Sequence, residues 1–408
     1  MNQTDSALRM YVRPRMLLVG MLGFFSGFPR MLMASTLAAW LTDSGLSMAA
    51  IGLFAWVAFP YSIKFLWAPA MDYVSLPFLT RRRSWLLCAQ LWVVGMLVVL
   101  SNIDASITPI WIAMAALVLA VASASQDIVI DAYRAEILPR EEYGAGAAVA
   151  VFGYRVGMLL SGAGALALAD VVSWSAVYMV MAAVAALGII FTLFMPEPEA
   201  PPARKLPTTI WGMVKEPFVD FIRRTPKWIW VLLFVLLYRV PDGFIGFMTT
   251  PFLLDLGFTK TQLGVVNKLY GFAATIAGMM IGGWLIHRYE VKRCLLPFGI
   301  LALLTNLVYV GQAQIGPELW YLVLANSFDN LASGMASAAA IAYMMSLTER
   351  THTATQYALL SALAAFAVTT LSGMAGWIAQ EWGWSVMYLT SMALGIPGLL
   401  VWLKLRRA

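Results

Sequence analysis

Residues 124–164 read ASQDIVIDAYRAEILPREEYGAGAAVAVFGYRVGMLLSGAG. The stretch places Asp127, Asp131 and Arg155 inside two apolar runs, each long enough for a membrane-spanning helix. Charges in hydrocarbon are rare, expensive and functional by default. A purely structural helix pair could be built from Leu, Ala and Gly. These charges therefore imply a polar path through a membrane and a solute that travels along it.

The surrounding chain agrees. Of its 408 residues 61% are apolar and only 12% charged, and its mean hydropathy is +0.78. That is far too apolar for a soluble fold of this length. Apolar runs recur at about 16–40, 47–71, 86–104, 108–134, 144–170, 174–195, 227–252, 260–287, 293–315, 318–347, 354–380 and 384–403, which predicts an all-α membrane protein with twelve transmembrane helices.

Lys and Arg placement orients these spans. Arg9, Arg13 and Arg15, Arg81 to Arg83, the 6–7 loop (Arg204, Lys205, Lys215, Arg223, Arg224, Lys227), the 8–9 loop (Arg288, Lys292, Arg293) and the tail (Lys404, Arg406, Arg407) all fall on one side. The opposite loops carry Asp43, Asp104, Asp170, Asp255, Glu318 and Glu381, with Lys260 as their base. Both termini are thus expected in the cytoplasm. The net charge of +6 is topological, and its scatter over short loops excludes a nucleic-acid-binding face. The first run contains Pro29 and Arg30 and leads into a second span, so it is expected to be a retained helix and not a cleaved signal. Cys88 and Cys294 near helix starts are expected to be reduced thiols, and His287 and His352 at helix ends suggest no metal site and no cofactor.

An internal repeat divides the chain. Leu41-Thr42-Asp43-Ser44-Gly45 followed by Gly52 returns as Leu253-Leu254-Asp255-Leu256-Gly257 followed by Gly264. Leu160-Ser161-Gly162 returns as Leu371-Ser372-Gly373, and Trp174-Ser175 with Tyr178 returns as Trp384-Ser385 with Tyr388. An even number of spans per unit gives both copies the same orientation, related by an axis along the membrane normal, so the arrangement resembles the major facilitator superfamily. The expected organisation is a six-helix bundle at 1–195, a cytoplasmic linker at 196–226 with a short amphipathic helix near Trp211 to Ile222, and a second bundle at 227–408.

The intramembrane polar residues are the candidate site. Asp127 and Asp131 lie four apart on one helix face, where either can take a proton or pair with a base. Arg155 lies near mid-depth of the fifth run, facing either the cavity or that acidic face, in the second case as a static ion pair. Arg30, Arg239 and Asp242, Lys268, and Asp329 with Asn330 complete the mid-membrane set. Arg239 and Asp242, three apart, can simply neutralise each other. Lys64 can snorkel. Asp72 with Arg81 to Arg83 sets an acidic helix end against a basic loop, an expected conformational latch. Dense small residues such as Gly144-Ala145-Gly146 serve close packing or rocking between halves, and Pro29, Pro60, Pro69 and Pro241 break backbone hydrogen bonds within helices.

The runs SGFPRMLMASTLAAWLTDSGLSMAAIGLF (from Ser26), PYSIKFLWAPAMDY (from Pro60), RRRSWLL (from Arg81), ASQDIVIDAY, GAGAAVAVFGYRVGMLLSG, VVNKLYGFAATIAG (from Val265) and ATQYALLSAL (from Ala354) closely resemble the AmpG-type muropeptide permeases. The resemblance covers nearly the whole chain. It implies a bacterial inner-membrane importer of N-acetylglucosaminyl-anhydro-N-acetylmuramyl peptides, driven by the proton motive force, that feeds peptidoglycan recycling and bears on β-lactamase induction. By the same resemblance, Gln126, Asp127, Asp131, Tyr154, Arg155, Gly157, Asp242, Asn267, Lys268, Asn330 and Gln356 fall on matching positions. Asp127, Asp131 and Asp242 are the expected proton-coupling residues. Arg30, Gln126, Tyr154, Arg155, Asn267, Lys268, Asp329, Asn330 and Gln356 are the expected contacts to an anionic sugar-peptide, and Asp72, Arg81 and Arg82 the latch. The expected partners are that cargo, protons and membrane lipid, with no nucleic acid, and the carrier is expected to be a monomer.

Departures from the family pattern are the absence of a further carboxyl-terminal helix pair in this sequence, Arg30 where an apolar residue is usual, and Val368 where relatives can carry Arg. Ferric-siderophore permeases are the alternative. A membrane enzyme would need a nucleophile, metal cluster or paired acid and base at an interface, and a sensor a soluble output domain; neither pattern is visible.

Overall fold

The computed structural model describes residues 11–46, 54–103, 109–199, 209–246, 248–259 and 262–406. The first half comprises α1 (Pro14–Leu32), α2 (Ser35–Asp43), α3 (Pro60–Ile63), α4 (Ala68–Tyr73), α5 (Arg81–Ser101), α6 (Pro109–Ile137), α7 (Tyr143–Leu159), α8 (Ala165–Ala169) and α9 (Trp174–Phe194). After α10 (Ile210–Arg224), the second half comprises α11 (Trp228–Tyr238), α12 (Val240–Gly246), α13 (Thr249–Asp255), α14 (Gly271–Tyr289), α15 (Val291–Ile315), α16 (Leu319–Leu347) and α17 (Thr353–Arg406). The last is two helices that meet at Gly383, whose φ is +83°, matching the break expected between the eleventh and twelfth runs.

Among the described residues, eight helices are long and apolar enough to cross a membrane. The other expected runs also fall on helical segments, with one correction. The second run is not a continuous helix: Phe54–Ala58 and Lys64–Leu66 are 3₁₀ turns that alternate with α3 and α4. Pro60 and Pro69 stand in the first turns of α3 and α4, where their missing N–H groups do no harm and where each would break a longer helix. The large apolar side chains left outside the packing, such as Leu91, Trp92, Ile110, Trp111, Ile190 and Phe194, make a surface suited to lipid and not to water.

The sequence repeat is also a repeat of bonds. Trp174 Nε1 donates to Asp43 Oδ2 at 3.0 Å, and Trp384 Nε1 donates to Asp255 Oδ2 at 2.6 Å. The tyrosine four residues after each Trp packs on an aromatic ring of the matching helix, Tyr178 on Trp40 at 4.9 Å and Tyr388 on Phe252 at 5.0 Å. Gly45 and Gly257 follow these aspartates with φ of +80° and +100°, a left-handed geometry that an L side chain resists. Each turn therefore needs its glycine, which explains why LTDSG and LLDLG share one.

Packing fixes where the polar residues can go. A methyl group added at Gly153 or Gly157 would overlap the carbonyls of Gly20 and Phe24, so α1 and α7 touch backbone to backbone. With that face closed, the bulky side chains of α7 point elsewhere. The halves meet through α7 against α14 and α16, and through α17 against α4 and α6. This contact lies at the end of the bundle that carries the arginine-rich loops, the basic end. There Gly144 of α7 packs on Gly283 and Ile286 of α14, and Tyr11 donates to the carbonyl of Met280 at 2.6 Å. The expected amphipathic linker helix is α10, capped by the Thr209 hydroxyl accepting from Gly212 N–H.

Candidate transport site between the two halves

A cavity of about 1270 Å³ lies between the halves, lined by α1, α6 and α7 from the first and by α11, α14, α16 and α17 from the second. Its acidic face comes from α6. The four-residue spacing sets Asp127 and Asp131 one turn apart, and both line the cavity. Their surroundings differ. Asp131 is held by Arg134 at 2.8 Å and by the buried Lys64 ammonium at 3.7 Å, so Lys64 does not snorkel. Asp127 accepts from the Ser26 hydroxyl at 2.5 Å, and among the described residues it has no Lys or Arg within 4.0 Å. Arg134 also donates to the Tyr357 hydroxyl at 2.7 Å, a bond across the two halves.

Tyr154 and Arg155 project from α7 into the cavity. Arg155 lies 5.9 Å from the ring of Phe272 in the second half, and no carboxylate pairs with it among the described residues. It takes the cavity-facing option, and the static ion pair with the acids of α6 is not formed. Arg239 comes from the junction of α11 and α12; its Nε is 3.4 Å from Asp242 Oδ2 and its guanidinium also donates to Ser337. Even so, Arg239 still faces the cavity. Asn330 lines the cavity while its amide bonds Thr275 and Asn326.

Other expected site residues are elsewhere. Gln126 is buried and donates to the carbonyl of Phe25 at 2.6 Å, tying α6 to α1. Gln356 is a correction: its amide donates to Pro217 O and Asp220 and accepts from Glu349 N–H at the basic end, and it does not line the cavity, although the next residue, Tyr357, does. Arg30 lies over the ring of Tyr61 at 4.3 Å and is absent from the cavity lining, because the broken second span presents an aromatic face where Asp329 or Asp242 was an expected partner. Asp329 sits behind the wall, bonded by Thr305 at 3.1 Å and Tyr309 at 3.4 Å. Asp242 likewise lies behind the wall, beside Tyr238 and Pro241. The side chains of Asn267, Lys268 and Val368 lie outside the described residues.

The acid and base at the basic end come together. Arg82 is completely buried and donates to Asp72 at 2.9 Å, Glu136 at 2.5 Å and the carbonyl of Met71 at 3.0 Å. Arg81 joins Glu136 at 2.8 Å. Asp72 in turn accepts from the N–H groups of Ala354 and Thr355 and from the Thr355 hydroxyl. It caps the first turn of α17, where orphan donors and the positive end of the helix dipole favour a carboxylate. His352, next to this turn, packs its ring on Tyr73 at 5.6 Å and is not an isolated helix-end residue.

Sequence reasoning missed Arg134, Glu136, Tyr238, Phe272 and Tyr357. Arg134 carried a signal, standing three residues after Asp131; the aromatics carried none, because an aromatic in an apolar run reads as core.

A charged cavity enclosed by two repeated helical halves, sealed at one end, defines a membrane carrier of small solutes. The sequence matches the Major Facilitator Superfamily over residues 19–254 and 237–408. It is 41% identical over 402 residues to the anhydromuropeptide permease of Escherichia coli K12, covering 98% of this chain and 81% of that protein. It is 32% identical to the putative transporter AmpG 4 of Rickettsia conorii, covering 95% of each. The fold resembles the human organic anion transporter MFSD10 (TM-score 0.71, 14% identity, 98% and 100% of the chains covered) and the proton:xylose symporter XylE (0.68, 12%, 99% and 96%). The chain belongs to the Major Facilitator Superfamily and, within it, to the AmpG-type permease family. It is a multi-pass membrane transporter and not an enzyme.

Proposed function

We propose that this chain imports anhydro-muropeptides, GlcNAc-anhydroMurNAc-peptides, from periplasm to cytoplasm in symport with protons. The observation that carries the reading is the 41% identity, over 98% of the chain, to a permease named for that cargo. The cavity fits a large anionic solute. Its volume of about 1270 Å³ exceeds the roughly 300–1,000 Å³ of ordinary small-molecule sites. Arg155 and Arg239 face it from opposite halves, and Tyr154, Tyr238, Tyr357 and Asn330 supply rings and amides for sugars and peptide.

On this reading the protein sits in the bacterial inner membrane with both termini and the basic end in the cytoplasm. The seal around Asp72, Arg82 and Thr355 then closes the cytoplasmic side, and the structure is outward-facing. The bundles 1–195 and 227–408 rock about the cavity, with 196–226 as their tether. The cavity is complete within one chain, which suits a monomer. A negative-inside potential opposes an entering anion by about 2.3 kcal/mol per charge per 100 mV, and a co-transported proton offsets this. Asp127 is the carrier in this scheme: Asp131 is held by two bases, whereas Asp127, among the described residues, is bonded by the Ser26 hydroxyl and has no Lys or Arg within 4.0 Å.

The test is uptake into right-side-out vesicles with an acid-outside gradient, offering labelled GlcNAc-anhydroMurNAc-tripeptide and, separately, a labelled ferric siderophore. Muropeptide accumulation that a protonophore collapses supports the proposal. Accumulation of the siderophore without the muropeptide overturns it.

A further inference from the structure

The linker helix α10 has two unlike faces. Towards the bundles it presents Glu216, Asp220 and Arg224. Glu216 accepts from the Tyr73 hydroxyl of the first half at 3.0 Å, while Asp220 and Arg224 bond Gln356 of the second half at 3.1 and 3.2 Å. Tyr73 and Gln356 stand next to Asp72 and Thr355, the pair that closes the basic end. The other face is a stripe spaced by four, three and four residues, Trp211, Lys215, Phe218 and Ile222, which is one side of a helix. Trp211 is 72% and Ile222 41% exposed. Lys215 and the flanking Arg223 have no carboxylate within 4.0 Å among the described residues. An apolar stripe turned outward and charges turned inward is the reverse of a helix that covers a core in water.

The position of α10 says what covers that stripe. Only Thr225, Pro226 and Lys227 separate it from α11, where a run long and apolar enough to cross a membrane begins at Trp228. Four residue steps reach at most about 14 Å, and the Trp228 N–H, donating to Thr225 O at 3.0 Å, folds them into a turn. The carboxyl end of α10 is therefore held at headgroup depth. There Trp is favoured, and a helix with an apolar stripe and flanking Lys and Arg lies in the plane of the leaflet. The cations select anionic headgroups. We infer that the outer face of α10 is a lipid-binding surface, seated on anionic phospholipid at the basic end, and that the seated helix splints the closed gate because it is bonded to both halves beside Asp72 and Thr355. The inference is independent of the cargo.

The experiment places the purified full chain, with Cys88 and Cys294 replaced, in nanodiscs of phosphatidylcholine alone or mixed with phosphatidylglycerol. A spin label at Val219→Cys, bordering the stripe, reports its depth. Phosphatidylglycerol should lower the label's collisions with a neutral aqueous nickel chelate and raise those with oxygen, changing their ratio several-fold. Lys215→Gln/Arg223→Gln should erase the difference between the two lipids, since each charge contributes roughly fivefold to binding an anionic surface. Trp211→Ser/Ile222→Ser should leave the label open to water in both. A label equally open to water in both lipids without these substitutions overturns the surface, as does shielding that persists in detergent within a dimer, which would make a second copy the occupant. A second pair of labels, at Glu141→Cys of the first half and Glu290→Cys of the second, reports the width of the basic end. Phosphatidylglycerol should enlarge the short-distance population several-fold, and the Gln pair should abolish that gain. A distance distribution that ignores the lipid while the Val219 label responds to it overturns the splint.

Discussion

Asp72 Oδ2 accepts both the backbone N–H and the hydroxyl of Thr355 at 2.8 Å, joining residues 283 apart in sequence. The same carboxylate is held from behind by Arg82, so one acid closes the basic end by capping a helix of the opposite half. Glu136 shares Arg82 and also pairs with Arg81, so two cations face two acids and the cluster carries no unpaired charge.

Asp72→Asn keeps the size of the side chain and loses its charge, so the cap on α17 weakens. Loss of an N-cap costs about 1 kcal/mol, enough to shift a balanced gate about fivefold toward opening at the basic end. A cysteine placed at Ser361 should then be modified faster by a thiol reagent applied from that end. An unchanged rate would show that Asp72 does not set the gate.

Removing Arg82 should be harsher. Arg82→Ala leaves Asp72 and Glu136 as buried, facing carboxylates, and breaking a buried pair in this way costs about 3–5 kcal/mol. We expect low yield and a large fall in the detergent melting temperature, with Glu136→Gln in the same chain recovering part of it by removing one of the two charges. Equal melting of the single and double variants would refute the charge account.

Much of this architecture was legible from hydropathy, because a helix that crosses lipid must be apolar along its length, and the Arg and Lys clusters order the loops. The repeat was legible because Asp43 and Trp174 are bonded, as are Asp255 and Trp384, so both partners recur together. Asp127, Asp131 and Arg155 stood out as charges in apolar runs. What sequence could not give was partner identity. Gln126, Gln356 and Arg30 are polar residues with buried partners, but those partners are a carbonyl, a linker helix and a tyrosine ring, none of which polarity alone distinguishes from a cargo. The breaks in the second span were carried by Pro60 and Pro69, visible in sequence but compatible with a kinked single helix.

Asp127→Asn removes the proposed proton carrier while its amide oxygen can still accept from Ser26. Gradient-driven accumulation should disappear, with exchange of cargo between equal pools remaining close to wild type. Equal loss of both would make Asp127 a structural or cargo-binding residue.

Arg155→Ala separates recognition of the peptide from that of the sugars. A charge-assisted hydrogen bond contributes about 1.5–3 kcal/mol, or roughly 10- to 150-fold in affinity. Binding of the disaccharide-tripeptide, measured by calorimetry on purified protein, should weaken by about that factor, and binding of the disaccharide whose lactyl carboxyl has been amidated should hardly change. Matching losses for the two ligands would remove Arg155 from carboxylate recognition.

Arg30 supplies the contrasting case. It lies over Tyr61 at 4.3 Å and outside the cavity lining, and its charge acts on Asp127 and Tyr154, which do line the cavity, so it is expected to act on the site through these neighbours. A mid-membrane Arg disfavours insertion by roughly 2.5–3.5 kcal/mol, which Arg30→Leu relieves, while the cation–π contact it loses contributes about 0.5–2 kcal/mol. The variant should therefore insert at least as well as wild type. Any fall in uptake should be the same for the disaccharide-tripeptide and its methyl ester, because the residue that reads cargo charge is Arg155. A defect that grows with the negative charge of the cargo would return Arg30 to the substrate path and require helix α1 to turn that side chain from Tyr61 into the cavity during transport.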